Sequence, residues 1–565
     1  LTEPLPIPEA QPTNQGILQY FPLPSARKSQ EAVIKEIDRV FKEGKRIVIL
    51  EAPVGSGKSA IAMTHALAEG GLIEGAGGAH LLTPRKGLQA QYYEDFGKDL
   101  VLMKGRSSYP CVFDTPYKHY TPILDAVAQG RVRHPGWNEP NCAEGPCKDN
   151  LEVYKMCVDE RPCPYSLAIK VAQESPVIVH NLHSFIFQTN FGDKFQQRPL
   201  LIVDEAHEIE GMVREFITKK VVVRTRLSDA DIQALQGNEG KCAPVKAWVD
   251  FLLQDKFVPA ISERDLALKA ADPEYVSERD EYLTKVSSLE DRDYLSKGFS
   301  VEVSPTFKPG SQTPSGAVLS FIPHWVGSAV GRLLLDYGEK VLLMSGTIYN
   351  METYCKNLGI NLSDAHMIRI GSSFPKENRP IYAKPKYQVN TSHATWNENF
   401  PEVIEKIQSI MEIFKDAKGL IHAPSYSAAV QITNALNSPR VVSHEADDFQ
   451  SKLESFYEDP EPKVFVSPIC QQGVDFKGDR ARFQIAVRVP YMGMGSKFVE
   501  DKVKSDFPWY NYQALVVFGQ IIGRVNRSED DYGATFLLDE RFNKFIQRNG
   551  KALPNWVKEA IIWKN

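Results

Sequence analysis

Short apolar runs separated by amphipathic stretches set the rhythm of this chain. Val33, Ile34, Ile37, Val40 and Phe41 fall at helical spacing, predicting a helix over Ser29 to Phe41. The run from Arg46 to Leu50 then reads as a buried parallel strand, followed by a glycine-rich turn and a helix from Ala60 to Leu67. His80 to Thr83 and Leu200 to Val203 read as further strands of the same sheet, so the first half predicts a doubly wound α/β core. The second half repeats the pattern in four runs, Val341 to Met344, Gly419 to His422, Val464 to Val466 and Gln484 to Val487, which predict a second α/β domain. Between the halves, residues 261–295 are charge-dense and helical in pattern. Asp272 is the expected N-cap, Pro273 the first helical residue, and Tyr275, Tyr282, Val286 and Leu289 share one face. The stretch from Pro305 to Gly316 leads back into the core, and residues 1–24, with six prolines, read as an extended arm. No tandem repeat or sustained heptad is present.

Composition narrows the class. A chain of 565 residues predicts about three to five units. With 42% hydrophobic and 24% charged residues it can bury large cores, which excludes wholesale disorder. No apolar run reaches the ~18 residues of a membrane span, and Leu1 to Asn14 lack a basic-then-apolar leader, so the expectation is a cytoplasmic protein with no membrane partner. A net charge of −5 excludes a globally basic binder but leaves room for a local basic groove. Of eight cysteines, five (Cys111, Cys142, Cys147, Cys157 and Cys163) fall close together, which reads as a metal or iron–sulfur site; structural thiols without metal are the plainer reading.

The strongest motif is Ala52-Pro-Val-Gly-Ser-Gly-Lys-Ser59, placed between a strand and a helix. Gly55, Ser56 and Gly57 let backbone N–H groups wrap a phosphate at a helix N-terminus. Lys58 supplies a point charge to the β- and γ-phosphates of ATP, and Ser59 can coordinate Mg²⁺. Leu201-Ile-Val-Asp-Glu-Ala-His207 is its natural partner: Asp204 at a strand tip can hold Mg²⁺ through water, and Glu205 can deprotonate the attacking water. His207 could couple this site to another surface.

Asp-Glu-Ala-His after such a loop resembles superfamily 2 helicases. Lys104-Gly-Arg-Ser-Ser-Tyr-Pro-Cys111, Cys163-Pro-Tyr165, Val177-Ile-Val-His-Asn181, Met344-Ser-Gly-Thr347, Gly473-Val-Asp475 with Gly478, and Gln520-Ile-Ile-Gly-Arg-Val-Asn-Arg527 resemble the iron–sulfur DinG/XPD group of DNA helicases, from about Arg27 to Arg541. The resemblance implies two RecA-like parallel-sheet motor domains, with an iron–sulfur insertion and a mainly helical arch insertion in the first. The boundaries expected are motor domain 1 over 1–105, 166–215 and 321–350, the iron–sulfur domain over 106–165, the arch over 216–320 and motor domain 2 over 351–565. It also implies an adenine contact for Gln30, and transition-state stabilisation from Gln520, Arg524 and Arg527 reaching across the nucleotide cleft. Asp475 is expected to link the two domains at the nucleotide. Gln472 stands where the group often has Glu, a departure that removes any charge there.

For the cysteines, the resemblance implies a [4Fe–4S] cluster held by four thiolates. The flanking residues fit Cys111 and Cys163 to the first and last ligands. Cys147 and Cys157 complete the chosen set; Cys142 with Cys147 is the competing pair, and zinc would satisfy the same spacing. Candidate contacts to a single strand are Thr83, Arg85, Lys104, Arg106, Tyr109, Ser425 and Tyr426. Residues 261–295 carry ten acids against five bases, so that face should not bind phosphates. The resulting expectation is a monomeric, ATP-dependent 5′-to-3′ DNA helicase acting on single-stranded, tailed or forked DNA, nucleoid-associated if bacterial, with the DNA-repair association of its group. A translocase without processive unwinding is the first rival. A nuclease motor is the second, placed last because no further domain is expected before residue 20 or after 565.

Overall fold

The computed structural model describes residues 16–71, 77–111, 141–145, 147, 163–225, 227–228, 230, 232–233, 243–271, 276–290, 293–308, 314–470, 474, 476–528 and 530–563. The chain forms two compact units, Leu1–Ala206 with Leu335–Gly346 and Ser363–Ser373, and His207–Leu334 with Thr347–Leu362 and Phe374–Asn565. Strands are numbered β1 to β17 in chain order.

The first unit is built on a seven-stranded sheet in the order β10-β1-β9-β5-β2-β4-β3. These strands are Ala365–Arg369, Ile47–Glu51, Gly338–Ser345, Arg198–Val203, Ala79–Thr83, Val177–Asn181 and Val101–Met103. Every pairing is parallel. All five residues of β1 are buried, as a parallel strand covered on both faces requires. The helix Lys28–Lys42 buries Val33, Ile34, Ile37 and Val40 into a core shared with Val48, Leu50, Ile61 and Ile202. Full burial of each such side chain contributes about 1.5–3 kcal/mol.

Two expectations change here. Val341–Met344, grouped by pattern with the second domain although the resemblance put 321–350 in motor domain 1, lies in the first sheet, where Ile47 pairs with Val341. The first sheet also runs beyond residue 350, because Ala365 pairs with Ile47 on its other side. Apolar runs of similar composition do not reveal which sheet they join; hydrogen-bond register does.

The second unit holds a parallel sheet in the order β13-β14-β12-β15-β16-β11-β17. Its strands are Val441–Ser443, Val464–Ser467, Gly419–His422, Phe483–Ala486, Ala534–Leu537, Ile381–Tyr382 and Ile561–Ile562. Gln484, fully buried in β15, donates to the Ile521 carbonyl and the Thr535 hydroxyl and accepts from His422 Nε2. Those bonds pin the end of the helix Phe507–Ile522 to the sheet.

The same unit carries a three-stranded antiparallel sheet, β6-β8-β7, from Lys219–Val223, Pro314–Pro323 and Phe299–Phe307. The arch region is therefore a mixed structure, with Trp248 packed edge-on to Phe321 between helix and sheet. Asp272 and Pro273 lie outside the described residues. The helix that carries Tyr282 and Val286 begins at Glu278 and is capped by Ser277, whose hydroxyl accepts from the Asp280 N–H while Asp280 reaches back to the Ser277 N–H. This capping box satisfies two otherwise orphaned donors of the helix start.

Candidate active site

β1 ends in the loop 52–57, and the helix Lys58–Gly71 starts directly after it. Gly55 and Gly57 both adopt left-handed backbone, with φ of 76° and 79°. At Gly57 the need for glycine is double, since a β-carbon would fall 2.1 Å from the Gln30 amide nitrogen. Gln30 is buried against the loop; its carbonyl oxygen accepts from the Arg27 N–H at 2.9 Å, and the Arg27 guanidinium donates to the Gly55 carbonyl at 2.8 Å. The helix start and the phosphate loop are thus fastened to each other. The Ser56 hydroxyl donates to the Pro53 carbonyl, and Lys58 Nζ to the Ala52 carbonyl at 3.1 Å, which folds the ammonium over the loop it would share with a phosphate.

β5 ends at Val203, and its neighbour β2 carries the Leu82 carbonyl that accepts the Asp204 N–H at 2.9 Å. Asp204 is buried, with Oδ1 accepting from the Glu205 N–H at 2.9 Å and Oδ2 from the Tyr92 hydroxyl at 3.0 Å. Burial first, and the adjacent Glu205 carboxylate second, push the Asp204 acid up to about 6, against the pull of Lys58. Glu205 itself sits at φ 51°, in the left-handed region that a non-glycine residue enters only at a cost of order 1–3 kcal/mol. Strain of that size at a residue beside a buried carboxylate and a phosphate loop is a mark of function. The Tyr92 hydroxyl thus backs the carboxylate expected to hold Mg²⁺. The donor set, the Ser59 hydroxyl and the Asp204 carboxylate beside the Lys58 ammonium, fits a hydrated divalent cation carried by a nucleotide.

In the second unit, Gln520 lies in the helix Phe507–Ile522 and donates to the Thr347 hydroxyl at 2.8 Å. Arg524, in the turn that follows, is buried, donates to the Val474 carbonyl at 2.5 Å and reaches Gln520 Oε1 at 3.3 Å. The Arg527 N–H is held by Asp531 at 3.0 Å. His207 lies in a turn, Ala206–Glu208, with Nε2 3.8 Å from Glu208. Asp475, Gln472 and Gly473 lie outside the described residues.

Among the described residues no group of three or more His, Cys, Asp or Glu side chains converges to hold a metal ion. Two thiols do meet: buried Cys142 has its sulfur 3.6 Å from that of Cys163 and donates to the Pro110 carbonyl at 3.0 Å. The contact with the Cys142 sulfur holds the Cys163 thiol below the ordinary thiol range, helped by backbone N–H groups where its helix starts, and raises Cys142 in turn. Cys111 is close enough to Gly145 that a β-carbon there would stand 2.8 Å from its sulfur, and Arg106 donates to Cys147 at 2.8 Å. Cys157 lies outside the described residues.

The strand-contact candidates divide. Tyr109 is fully buried, its hydroxyl accepting from the Lys104 N–H at 3.3 Å, and so is a core aromatic. Thr83 is buried too, turned inward on the Arg85 and His180 carbonyls. Ser425 caps the helix Tyr426–Leu436 by accepting from the Ala428 N–H, and Tyr426 is exposed at its start. Sequence reasoning missed Tyr92, Thr347 and the Cys142–Cys163 contact. A lone tyrosine on a helix gave no signal; Thr347 lay within a quoted motif and could have been found.

Comparison with known proteins agrees with this geometry. Residues 407–560 match the family model of the helicase C-terminal domain, and residues 24–227 that of the type III restriction enzyme res subunit. The chain is 25% identical over 290 residues to the regulator of telomere elongation helicase 1 homolog of Drosophila grimshawi, covering 44% of this chain and 29% of that one. Against the Drosophila melanogaster homolog the identity is 24% over 289 residues, 43% and 28% of the two chains. The chain thus spans under a third of the length of these curated relatives. A solved XPD helicase structure matches 96% of this chain and 100% of its own at a TM-score of 0.56 and 17% identity. Xpd4 of S. tokodaii matches 95% and 100% at 0.54 and 15%. These likenesses give the chain the fold of the solved XPD helicases, with a helicase C-terminal domain model matched over residues 407–560.

Proposed function

We propose that the protein is an ATP-dependent DNA helicase that translocates 5′-to-3′ on single-stranded DNA and opens tailed or forked duplexes. The observation that carries the ATPase half is the buried Asp204, held by the Tyr92 hydroxyl at 3.0 Å and acted on electrostatically by Glu205 and by Lys58 of the phosphate loop. The loop 52–57 binds the phosphates through its N–H groups, and Lys58 neutralises charge on the transferred group. Ser59 and Asp204 would hold Mg²⁺, which supplies charge neutralisation between the β- and γ-phosphates. Glu205 takes the proton of the attacking water, and Arg524 and Arg527, with Gln520 orienting Arg524, stabilise the transition-state charge. Gln30 fixes the loop and in addition reads the base; His207 and Asp475 relay nucleotide state.

The insertion is assigned a [4Fe–4S] cluster. The contact of the Cys142 and Cys163 sulfurs alone favours the competing choice, Cys142 in place of Cys157 beside Cys111, Cys147 and Cys163; the described thiols do not otherwise converge. When bound, such a cluster staples a small insertion into one fold. The expected domain boundaries are kept as part of this proposal, with the strand Ala365–Arg369 added to the first motor domain. Strand polarity and DNA preference rest on the family likeness.

ATP hydrolysis by the full chain and by Lys58→Ala, with and without single-stranded DNA, tests the first half. Unwinding of 5′-tailed against 3′-tailed duplex tests the second. Strand-stimulated hydrolysis lost in Lys58→Ala and unwinding confined to the 5′ tail are expected. Hydrolysis without unwinding of either tail would leave a translocase, and near-normal turnover in Lys58→Ala would overturn the site.

A further inference from the structure

We infer that Tyr92 is a positioning residue for the divalent cation of the phosphate-loop site, a role carried by the bond of its hydroxyl to Asp204. The inference rests on the nucleotide-site reading above and deepens it.

Tyr92 is 1% exposed, and its hydroxyl donates to Asp204 Oδ2 at 3.0 Å. The helix that bears it, Lys86–Phe96, is fixed one turn earlier. Gln89, fully buried, donates from its one amide nitrogen to the Met103 and Val179 carbonyls, both at 2.9 Å, tying the helix to β3 and β4. The phenol therefore arrives at Asp204 from a framework that neither Ser59 nor Asp204 belongs to. The second carboxylate oxygen is held by the Glu205 N–H at 2.9 Å, so both oxygens are oriented.

Each carboxylate oxygen has about two acceptor sites. One bond to each leaves one free on each, so the hydroxyl orients the carboxylate without occupying its capacity for a hydrated cation. Partners of this kind, placed behind a metal-holding side chain, commonly change metal affinity 10–100-fold when removed. A phenylalanine in this place keeps the ring and its packing and removes only the bond. Without it, Asp204 can turn about its side-chain torsion.

The experiment uses the full chain and its Tyr92→Phe variant. Binding of a fluorescent ATP analogue is measured in EDTA and then across a MgCl₂ titration. The expected result is a Mg²⁺ midpoint raised by about tenfold, with metal-free nucleotide binding unchanged. Phe96→Leu, which alters the neighbouring buried ring of the same helix, should move neither. A midpoint within twofold of the parent, a lowered midpoint, or equal weakening with and without metal would overturn the proposal while leaving the nucleotide site standing. A parent chain whose nucleotide binding ignores Mg²⁺ would overturn the nucleotide-site reading, and this inference with it.

Discussion

Tyr349 fills the space that Gly519 leaves open: a β-carbon on Gly519 would stand 1.8 Å from the Tyr349 hydroxyl oxygen and 2.7 Å from the Thr347 methyl. Tyr349 holds this place from a left-handed backbone, at φ 57°. The segment is bonded on both sides, with Tyr512 donating to the Ile348 carbonyl at 3.0 Å and Gln520 to the Thr347 hydroxyl at 2.8 Å. The loop after β9 and the helix Phe507–Ile522 therefore meet through one glycine-sized gap.

Gly519→Ala should separate them. Alanine gains about 1 kcal/mol of helix propensity, whereas overpacking a buried rigid ring costs about 1–3 kcal/mol. The net should be a modest loss of thermal stability and a larger loss of hydrolysis, because Gln520 moves with the helix. Calorimetry and ATPase assays on the purified variant check both; unchanged hydrolysis would show that the Thr347–Gln520 bond is dispensable.

Glu205→Gln should retain nucleotide binding and slow hydrolysis by about 10²–10⁴, since an amide keeps the shape and cannot accept the proton. Single-turnover hydrolysis at saturating ATP is the measurement. A rate near that of the parent would assign water activation to another group.

Among the cysteines, Ser substitution at Cys111, Cys142, Cys147 or Cys163 should each remove most iron from anaerobically purified protein, because oxygen replaces thiolate poorly. Cys157→Ser should keep it. Iron and sulfide analysis of the five variants decides the ligand set; iron retained in Cys142→Ser and lost in Cys157→Ser would restore the other choice. Stoichiometric zinc would replace the cluster altogether.

His65 predicts an acid-sensitive first unit. It is buried in the helix Lys58–Gly71, Nε2 has no hydrogen-bond partner among the described residues, and burial pushes it down to about 4. A folded-state value below the ordinary 6.5 means that the unfolded chain takes up the proton first. Stability is therefore full above about pH 6.5 and falls as pH drops toward 4, by at most about 1.4 kcal/mol per pH unit for this one group. Between pH 7.5 and 5.0 the thermal midpoint of His65→Leu should fall less than that of the parent. Equal losses in the two proteins would place the acid sensitivity elsewhere, with His80 and His422 the next buried rings to examine.

How much of this was legible beforehand follows from the range of each interaction. Local chemistry was readable. The strand Ile47–Glu51, the glycine turn and the helix starting at Lys58 follow from apolar runs, φ demands and the missing N–H partners of a helix start, all written within a dozen residues. Asp204 and Glu205 were named from a strand tip for the same reason. Long-range placement was not readable. Val341–Met344 and Ala365–Arg369 flank β1 because of register, which depends on how a distant run twists and pairs, and neither composition nor spacing encodes it. The Tyr92–Asp204 bond joins side chains 112 positions apart, and nothing near Tyr92 marks it as anything but a helical aromatic. The burial of Tyr109 and Thr83, candidates for contact with a single strand, was settled by the elements packed over them. The sequence by itself determined which residues can do chemistry, since that is a property of functional groups and local backbone. Only the tertiary structure decided which of them share a hydrogen bond, because burial and proximity arise when separate elements pack.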